Sequence, residues 1–320
     1  MNSAVCTLFE GSYHFGLAAL VNSLHRAGFR GEVFAGYRGA MPPWAGAAEP
    51  APLDGWPDAR SLKVVEGLTL VFLSLDTDYH LTNYKADFML ALLDGPARST
   101  DALFYLDPDI CVAQPWRYFE DWVSCGVALC EDVNSPLPEN HPRRIGWRRY
   151  YAQHGVFLRF RAAQHVNGGF VGVHRNDRAF LLSWKQTMDL MAAEIGSLSL
   201  ALTSNAAYRS TGFADCFDRT DQDALNAAVE ATSQSVSVIG QEAMAFKAGS
   251  ALLPHAIGGP KPWQSNYLRN ALSGMPPGPA HKAFWAHVDG PISPYTASVR
   301  SRKRLALKLA SAIGRVVSKA

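Results

Sequence analysis

The stretch Leu103-Phe104-Tyr105-Leu106-Asp107-Pro108-Asp109-Ile110-Cys111-Val112 decides how this chain is read. An apolar run ends in two carboxylates one residue apart, and a second apolar run follows. The first run has the length and aromatic content of a buried strand. Pro108 carries no N–H and fixes its own φ, so strand pairing is expected to stop there. Asp107 and Asp109 then fall in a turn at the strand's carboxyl end, the edge at which open α/β sheets bind ligands. Two carboxylates this close repel unless a proton or a cation lies between them, and a divalent metal would keep both ionised. Read blandly, the turn is a loop with one Asp capping a helix at Gln114 or Pro115.

The flanking sequence supports an α/β sheet. Residues 5–9 read as a strand and 13–27 as a helix, with Leu17, Leu20, Val21 and Leu24 at helical spacing and Gly28 placed to end it. Residues 32–37 read as a second strand, the β-turn-α-β opening of a parallel sheet of the nucleotide-binding type. Residues 40–60, rich in Pro, Ala and Gly, are expected to be a loop. Strands are expected at 63–65 and 68–73, a helix at 84–93, and a strand at 127–131. A further strand, 166–173, is entered through the pair Gly168-Gly169, where the backbone can be approached closely. Helices follow at 177–193 and 220–232, the latter opened by Thr220 and Asp223 at capping-box spacing. Short strands are expected at 236–239 and 251–254. The predicted fold class is therefore α/β: a mostly parallel central sheet with helices on both faces and a C-terminal helical extension.

Segment 134–155 carries Arg143, Arg144, Arg148 and Arg149 beside Trp147, Tyr150 and Tyr151. Such a run is either a solvated helix face or a place to hold a phosphate or a sugar.

Composition excludes several classes. A hydrophobic content of 48% with 18% charge in 320 residues describes an ordinary globular chain, of a length for one large α/β domain or two small ones. Five cysteines without CxxC spacing argue against a disulfide framework and a structural zinc, and fit a reducing compartment. Met1-Asn2-Ser3 lacks a basic leader region, and no apolar run approaches the ~20 residues of a membrane span, so a cytoplasmic protein is expected. Residues 290–320 hold seven Lys/Arg and no Asp/Glu; taking that seven from the overall +2 leaves −5 on residues 1–289. A mildly acidic body argues against a nucleic-acid partner. The basic tail, read as a helix from Ser298, places Arg300, Arg304, Lys308, Arg315 and Lys319 on one stripe. Leu305, Leu309, Ala312, Ile313, Val316 and Val317 fall on the other, while Arg302 and Leu307 fit neither. Such a helix either docks its apolar face on the domain or lies on an anionic membrane surface.

The second half of the site follows the last predicted strand: His255-Ala256-Ile257-Gly258-Gly259-Pro260-Lys261-Pro262-Trp263. A neutral imidazole is a common metal ligand. The two glycines let the backbone approach a phosphate, and Lys261 adds a cation. Oxygen and imidazole donors suit Mn²⁺ or Mg²⁺.

With these residues in place, the chain resembles the family 8 retaining glycosyltransferases, the group containing glycogenin and bacterial lipopolysaccharide galactosyltransferases. The resemblance rests on an ordered set spanning residues 5–263. It comprises Val5-Cys6-Thr7-Leu8-Phe9-Glu10 before Tyr13, Tyr105-Leu106-Asp107-Pro108-Asp109, Val166-Asn167-Gly168-Gly169-Phe170, Asp221-Gln222-Asp223-Ala224-Leu225-Asn226, and His255 through Lys261-Pro262-Trp263. It implies a GT-A fold, a UDP-sugar donor, Mn²⁺ (with Mg²⁺ as the alternative ion), and a glycan or lipid-linked acceptor. It further implies that Asp107, Asp109 and His255 hold the metal and that Lys261 and Gly258 meet the donor diphosphate. Glu10, Ser12 and Tyr13 would lie at the nucleoside end. Asn167, Gln222 and Asp223 would line the sugar, with Gln222 nearest the anomeric carbon. The family's Arg in the helix before the Asp-x-Asp has no counterpart here, and Lys85, which lies near that place, is carried as a donor-binding candidate. The family's Asp-rich opening is Glu10-Gly11-Ser12 in this chain.

The expected organisation is a nucleotide-sugar-binding and catalytic domain over 1–265, a connecting segment over 266–297 and a basic tail helix over 298–320. The rival readings are a nucleotide-sugar-binding protein without transferase activity and a metal-dependent nucleotidyl or phosphoryl transferase. No GxxxxGK[ST] loop supports the latter.

Overall fold

The structure is a computed structural model describing residues 1–201 and 216–317. The chain opens with β1 (Ser3–Glu10), α1 (His14–Arg26) and β2 (Gly31–Arg38). Next come β3 (Glu49–Pro50), β4 (Arg60–Val65), β5 (Leu68–Ser74), α2 (Lys85–Asp94) and β6 (Ala102–Leu106). They are followed by α3 (Trp116–Val123), β7 (Val127–Glu131), α4 (Pro142–Gln153), β8 (Val166–His174) and α5 (Arg178–Ile195). The last elements are α6 (Thr220–Ala231), β9 (Val236–Ile239), α7 (Tyr267–Leu272), α8 (Pro279–His287) and α9 (Ala297–Val316).

The strands form one sheet in the order β3-β4-β5-β2-β1-β6-β8-β7-β9. Its centre, β5-β2-β1-β6, is parallel. β8 runs antiparallel to both β6 and β7, so β7 points the same way as β6. The carboxyl ends of β1, β2, β6 and β7 and the start of β8 therefore meet at one edge. Because side chains alternate along a strand, β6 feeds two cores. Leu103 and Tyr105 pack with Phe88, Trp184 and Leu225 on one face. Phe104 and Leu106 pack with Leu20, Trp116 and Phe119 on the other. A strand buried on both faces reads as an unbroken apolar run, and this one does. Gly28, at φ +88°, takes the left-handed position after α1.

Several expectations are corrected. Residues 251–254 are not a strand; the single bridge there joins Ile110 to His255. The expected loop 40–60 contains the two-residue β3. The bland reading's helix at Gln114 or Pro115 is present as α3, but its N-cap is Pro115 without a side-chain bond, so no Asp caps it. The capping box is half right. Asp223 accepts the backbone N–H groups of Asp218 and Arg219, but Thr220 turns away to bond Asn83. In α4, Arg144 pairs with Glu230 inside the protein and Arg143 with Asp223 at 2.9 Å. Those two arginines are structural counter-ions and not a phosphate cradle.

α7, α8 and α9 share a third core with α1, built on Ala19, Tyr267, Trp285 and Ala310. The tail helix docks, on a face that only partly coincides with the side its periodicity suggested. Leu307, Ala310 and Ile313 face the body, while Leu305 and Leu309 are 58% and 48% exposed. Arg300 and Arg304 lie inward, donating to the carbonyls of Tyr295 and Trp285 and facing Asp289. Long cationic stems pack well against apolar surface, so charge alone misassigned the faces. Lys319, on the predicted basic stripe, and residues 202–215 lie outside the described residues. Among the described residues, no helix is long and apolar enough to cross a membrane.

Candidate active site

The turn after β6 is fixed from three sides. Asp107 N donates to the Gly169 carbonyl at 2.8 Å, which ties the turn to β8. Cys111 N and Ala256 N donate to the Pro254 and Asp109 carbonyls, both at 3.1 Å, which ties it to the His255 segment. From α1, Gly16 makes room: a Cβ there would lie 2.4 Å from the Pro108 carbonyl oxygen. Two more glycines clear the site itself. A Cβ on Gly168 would lie 2.6 Å from Asp221 Oδ2, and one on Gly169 would lie 2.5 Å from His255 Cε1.

Asp107, Asp109 and His255 each offer a ligand atom within 4.8 Å of the others. His255 Nε2 lies 3.2 Å from Asp109 Oδ1 and 3.8 Å from Asp107 Oδ2. Asp109 Oδ2 also receives Lys261 Nζ at 2.6 Å, and Lys261 donates to the Ala256 carbonyl at 2.8 Å. Burial alone would raise the Asp109 pKa; His255 and Lys261 outweigh it and hold the carboxyl well below its usual range. Two carboxylates and an imidazole, whose buried Nδ1 has no partner among the described residues, make a set that fits a hard divalent ion.

Lys85 is the structural centre of the site. It is 1% exposed and donates to Gly168 O at 2.8 Å and Asp221 Oδ2 at 3.1 Å, with Asp107 Oδ1 at 3.2 Å. Burial pushes its ammonium down, but Asp107 and Asp221 outweigh that and its pKa ends raised. Tyr105 donates its hydroxyl to Asp107 Oδ1 at 2.8 Å.

These groups line one pocket of about 330 Å³, within the usual range for small-molecule sites. Glu10, Tyr13, Lys85, Asn167, Gln222, Gly258 and Lys261 all reach its wall. Glu10 is bridged to Arg38 at 2.8 Å, and Tyr13 stands edge-on to Trp263. Two candidates are not brought there. Ser12 is exposed and accepts from Trp263 Nε1 at 3.2 Å. Asp223 is fully buried, bonded to Arg143 and to the backbone at the start of α6, so it cannot meet a sugar hydroxyl. On a helix, adjacent residues point about 100° apart; Asp221 and Gln222 face the pocket, which turns Asp223 inward.

Sequence reasoning missed Asp132 and Asp221, both in the pocket wall. Asp132 directly follows β7, at the same sheet edge as Asp107, so the rule that singled out Asp107 also applied to it. Asp221 heads the Asp-Gln-Asp run; choosing its neighbour Asp223 was a one-residue error of helix phase.

No protein-family model matches the chain. No curated protein matches it either. Among solved structures it is similar to the glycosyltransferase GlyE of Streptococcus pneumoniae TIGR4, at 14% identity and TM-score 0.52, over 97% of this chain and 64% of that one. It is also similar to the galactosyltransferase LgtC solved with donor and acceptor sugar analogs, at 13% identity and TM-score 0.53, over 93% of this chain and 99% of that one. The chain thus spans less than two thirds of GlyE and nearly the whole of LgtC. What is shared is the fold, an α/β sheet with helices of the GT-A type.

Proposed function

We propose that this chain is a metal-dependent retaining glycosyltransferase of the family 8 type, moving a hexose from a UDP-sugar to a glycan or lipid-linked acceptor. One observation carries the reading. The Asp107–Asp109–His255 group and Lys261 line the same pocket as Asn167 and Gln222. A group that would hold a cation and a diphosphate thus shares one pocket with amides suited to a sugar. Mn²⁺, or Mg²⁺ in its place, would be held by Asp107, Asp109 and His255 and would supply Lewis acidity to the leaving diphosphate. Lys261 adds a cation where negative charge develops. Tyr13 and Glu10 offer a ring and a carboxylate at the nucleoside end. Gln222 is a poor nucleophile, so attack by the acceptor on the face the diphosphate leaves, with that phosphate taking the proton, accounts for retention.

A donor screen tests this: purified protein, Mn²⁺, a panel of nucleotide sugars, and detection of released UDP or GDP. Nucleotide sugar bound without any release supports a binding protein instead. Release of pyrophosphate from an NTP supports a nucleotidyl transferase.

Lys261→Ala is expected to weaken UDP binding about 10- to 100-fold in the presence of Mn²⁺, since a charge-assisted bond is worth ~1.5–3 kcal/mol. Calorimetry giving an unchanged affinity would show that Lys261 serves only Asp109.

The proposal extends to location: a cytoplasmic enzyme held peripherally on the inner face of a membrane. Leu305, Leu309 and Val316 form an exposed stripe on α9, and Leu272 and Met275, at and just past the end of neighbouring α7, are also exposed. Arg302, Lys308 and Arg315 are exposed on the same helix. Apolar residues beside cations suit an anionic lipid surface. Removing the whole tail would uncover Tyr267 and Trp285, so point variants are the sounder test. Leu305→Gln with Leu309→Gln is expected to abolish sedimentation with phosphatidylglycerol vesicles at low salt, leaving UDP release in solution unchanged. Undiminished sedimentation would remove α9 as the anchor.

A further inference from the structure

Asp132 is 2% exposed yet reaches the pocket wall. Its Oδ2 accepts Nδ2–H of Asn167 at 2.6 Å and Nε2–H of Gln222 at 3.1 Å. Its Oδ1 accepts the backbone N–H of Asn134 at 2.9 Å and that residue's side-chain amide at 2.6 Å. The fully buried ring of His165 stands behind it, with Nδ1 3.7 Å from the same Oδ1, and stacks on Trp147. Asp132 N donates to the His165 carbonyl at 2.7 Å, so backbone and side chain are both held.

An ionised carboxylate accepts hydrogen bonds and cannot donate them. Burial works against the charge on Asp132, but the His165 ring beside it and the bonds from Asn167 and Asn134 outweigh it and hold the carboxyl well below its usual range. Each amide that meets Asp132 must therefore turn its NH₂ toward it and its oxygen away. Asn167 spends that oxygen on Gly169 N–H at 2.8 Å. Gln222 does not: its Oε1 is buried and has no partner among the described residues. A buried acceptor left unpaired is costly, and this one belongs to a residue of the pocket wall.

We infer that Asp132 is a positioning residue that locks the Gln222 amide so that Oε1, and not the NH₂ group, faces the reacting carbon of the bound sugar. The inference rests on the transferase reading, in which positive character grows at that carbon as its bond to the diphosphate breaks. An oxygen dipole held there in advance stabilises that charge; a flipped amide would oppose it. Asn134 and His165 keep the carboxylate from rotating.

The test combines a double-mutant cycle with a readout that needs no turnover. Asp132→Asn keeps the shape but gives Gln222 a neighbour that donates as readily as it accepts. It is expected to lower kcat for UDP release about 10²-fold with UDP affinity unchanged. Asp132→Glu, still acceptor-only, should recover part of the rate. Gln222→Ala should cost at least as much as Asp132→Asn, and the double variant no more than Gln222→Ala alone, because one residue acts through the other. Additive losses would overturn the inference. In the free ¹⁵N-labelled protein, the Gln222 Nε2 protons should exchange with water more slowly in wild type than in Asp132→Asn. Equal exchange overturns the locking whatever the activity. Slow exchange in a wild type that releases no UDP from any donor would confirm the locking and overturn the transferase reading, together with the role at the reacting carbon.

Discussion

Asp109→Ala is expected to abolish Mn²⁺-dependent UDP release, a loss of about 10³-fold or more, while the protein still melts as a folded domain. The effect is large because Asp109 serves three partners at once. It meets His255 through one oxygen and Lys261 through the other, and its backbone carbonyl receives Ala256 N–H. Alanine keeps the last and removes the first two. The ion would lose a carboxylate ligand, and Lys261 would lose the group that holds it over the site. Asp107→Ala and His255→Ala should behave alike. Mn²⁺ titration calorimetry on the same samples should show the ion's affinity lost in step with the rate. Full activity in EDTA, or a wild-type rate in Asp109→Ala, would sink the metal assignment.

Lys85→Met is expected to destabilise the protein by about 3–5 kcal/mol, the usual cost of removing one partner from a buried ionic group. Methionine fills much of the lysine's volume, so the loss is one of charge more than of packing. Without the ammonium, Asp107 and Asp221 would face each other across the buried carbonyl of Gly168 with nothing between them. Urea unfolding at neutral pH measures the cost. A variant within about 1 kcal/mol of wild type would show that the two carboxylates do not depend on Lys85.

The parts of this molecule that could be read in advance are those with a local cause. β6 announced itself because burial on both faces leaves no polar residue in it, and Pro108 marked its end. His255 and Lys261 were found because a histidine, two glycines and a lysine lie together in sequence. Lys85 was noted but its place could not be seen, since its three partners come from β8, α6 and the β6 turn. Asp223 was misread because one residue of helix phase separates a pocket wall from a core. α9 was misread for a related reason: periodicity finds two faces but does not say which is docked, and two arginines went inward. Asp132 needed only the knowledge that β7 runs alongside β6, which the antiparallel β8 between them supplies.

In the free protein Lys261 rests on Asp109 Oδ2. If an ion is held through this oxygen, it would take it from Lys261 and release the ammonium. The freed charge would remain on the pocket wall that Lys261 shares with Gly258. In the proposed enzyme, ion and anion would thus be thermodynamically linked: the ion alone would have to displace an internal cation, and the anion alone would have to draw that cation off a carboxylate. Together each relieves what the other leaves unpaired. By reciprocity the factor by which UDP would tighten Mn²⁺ equals the factor by which Mn²⁺ would tighten UDP, and a lysine exchanged between two carriers of negative charge would be the element that couples them.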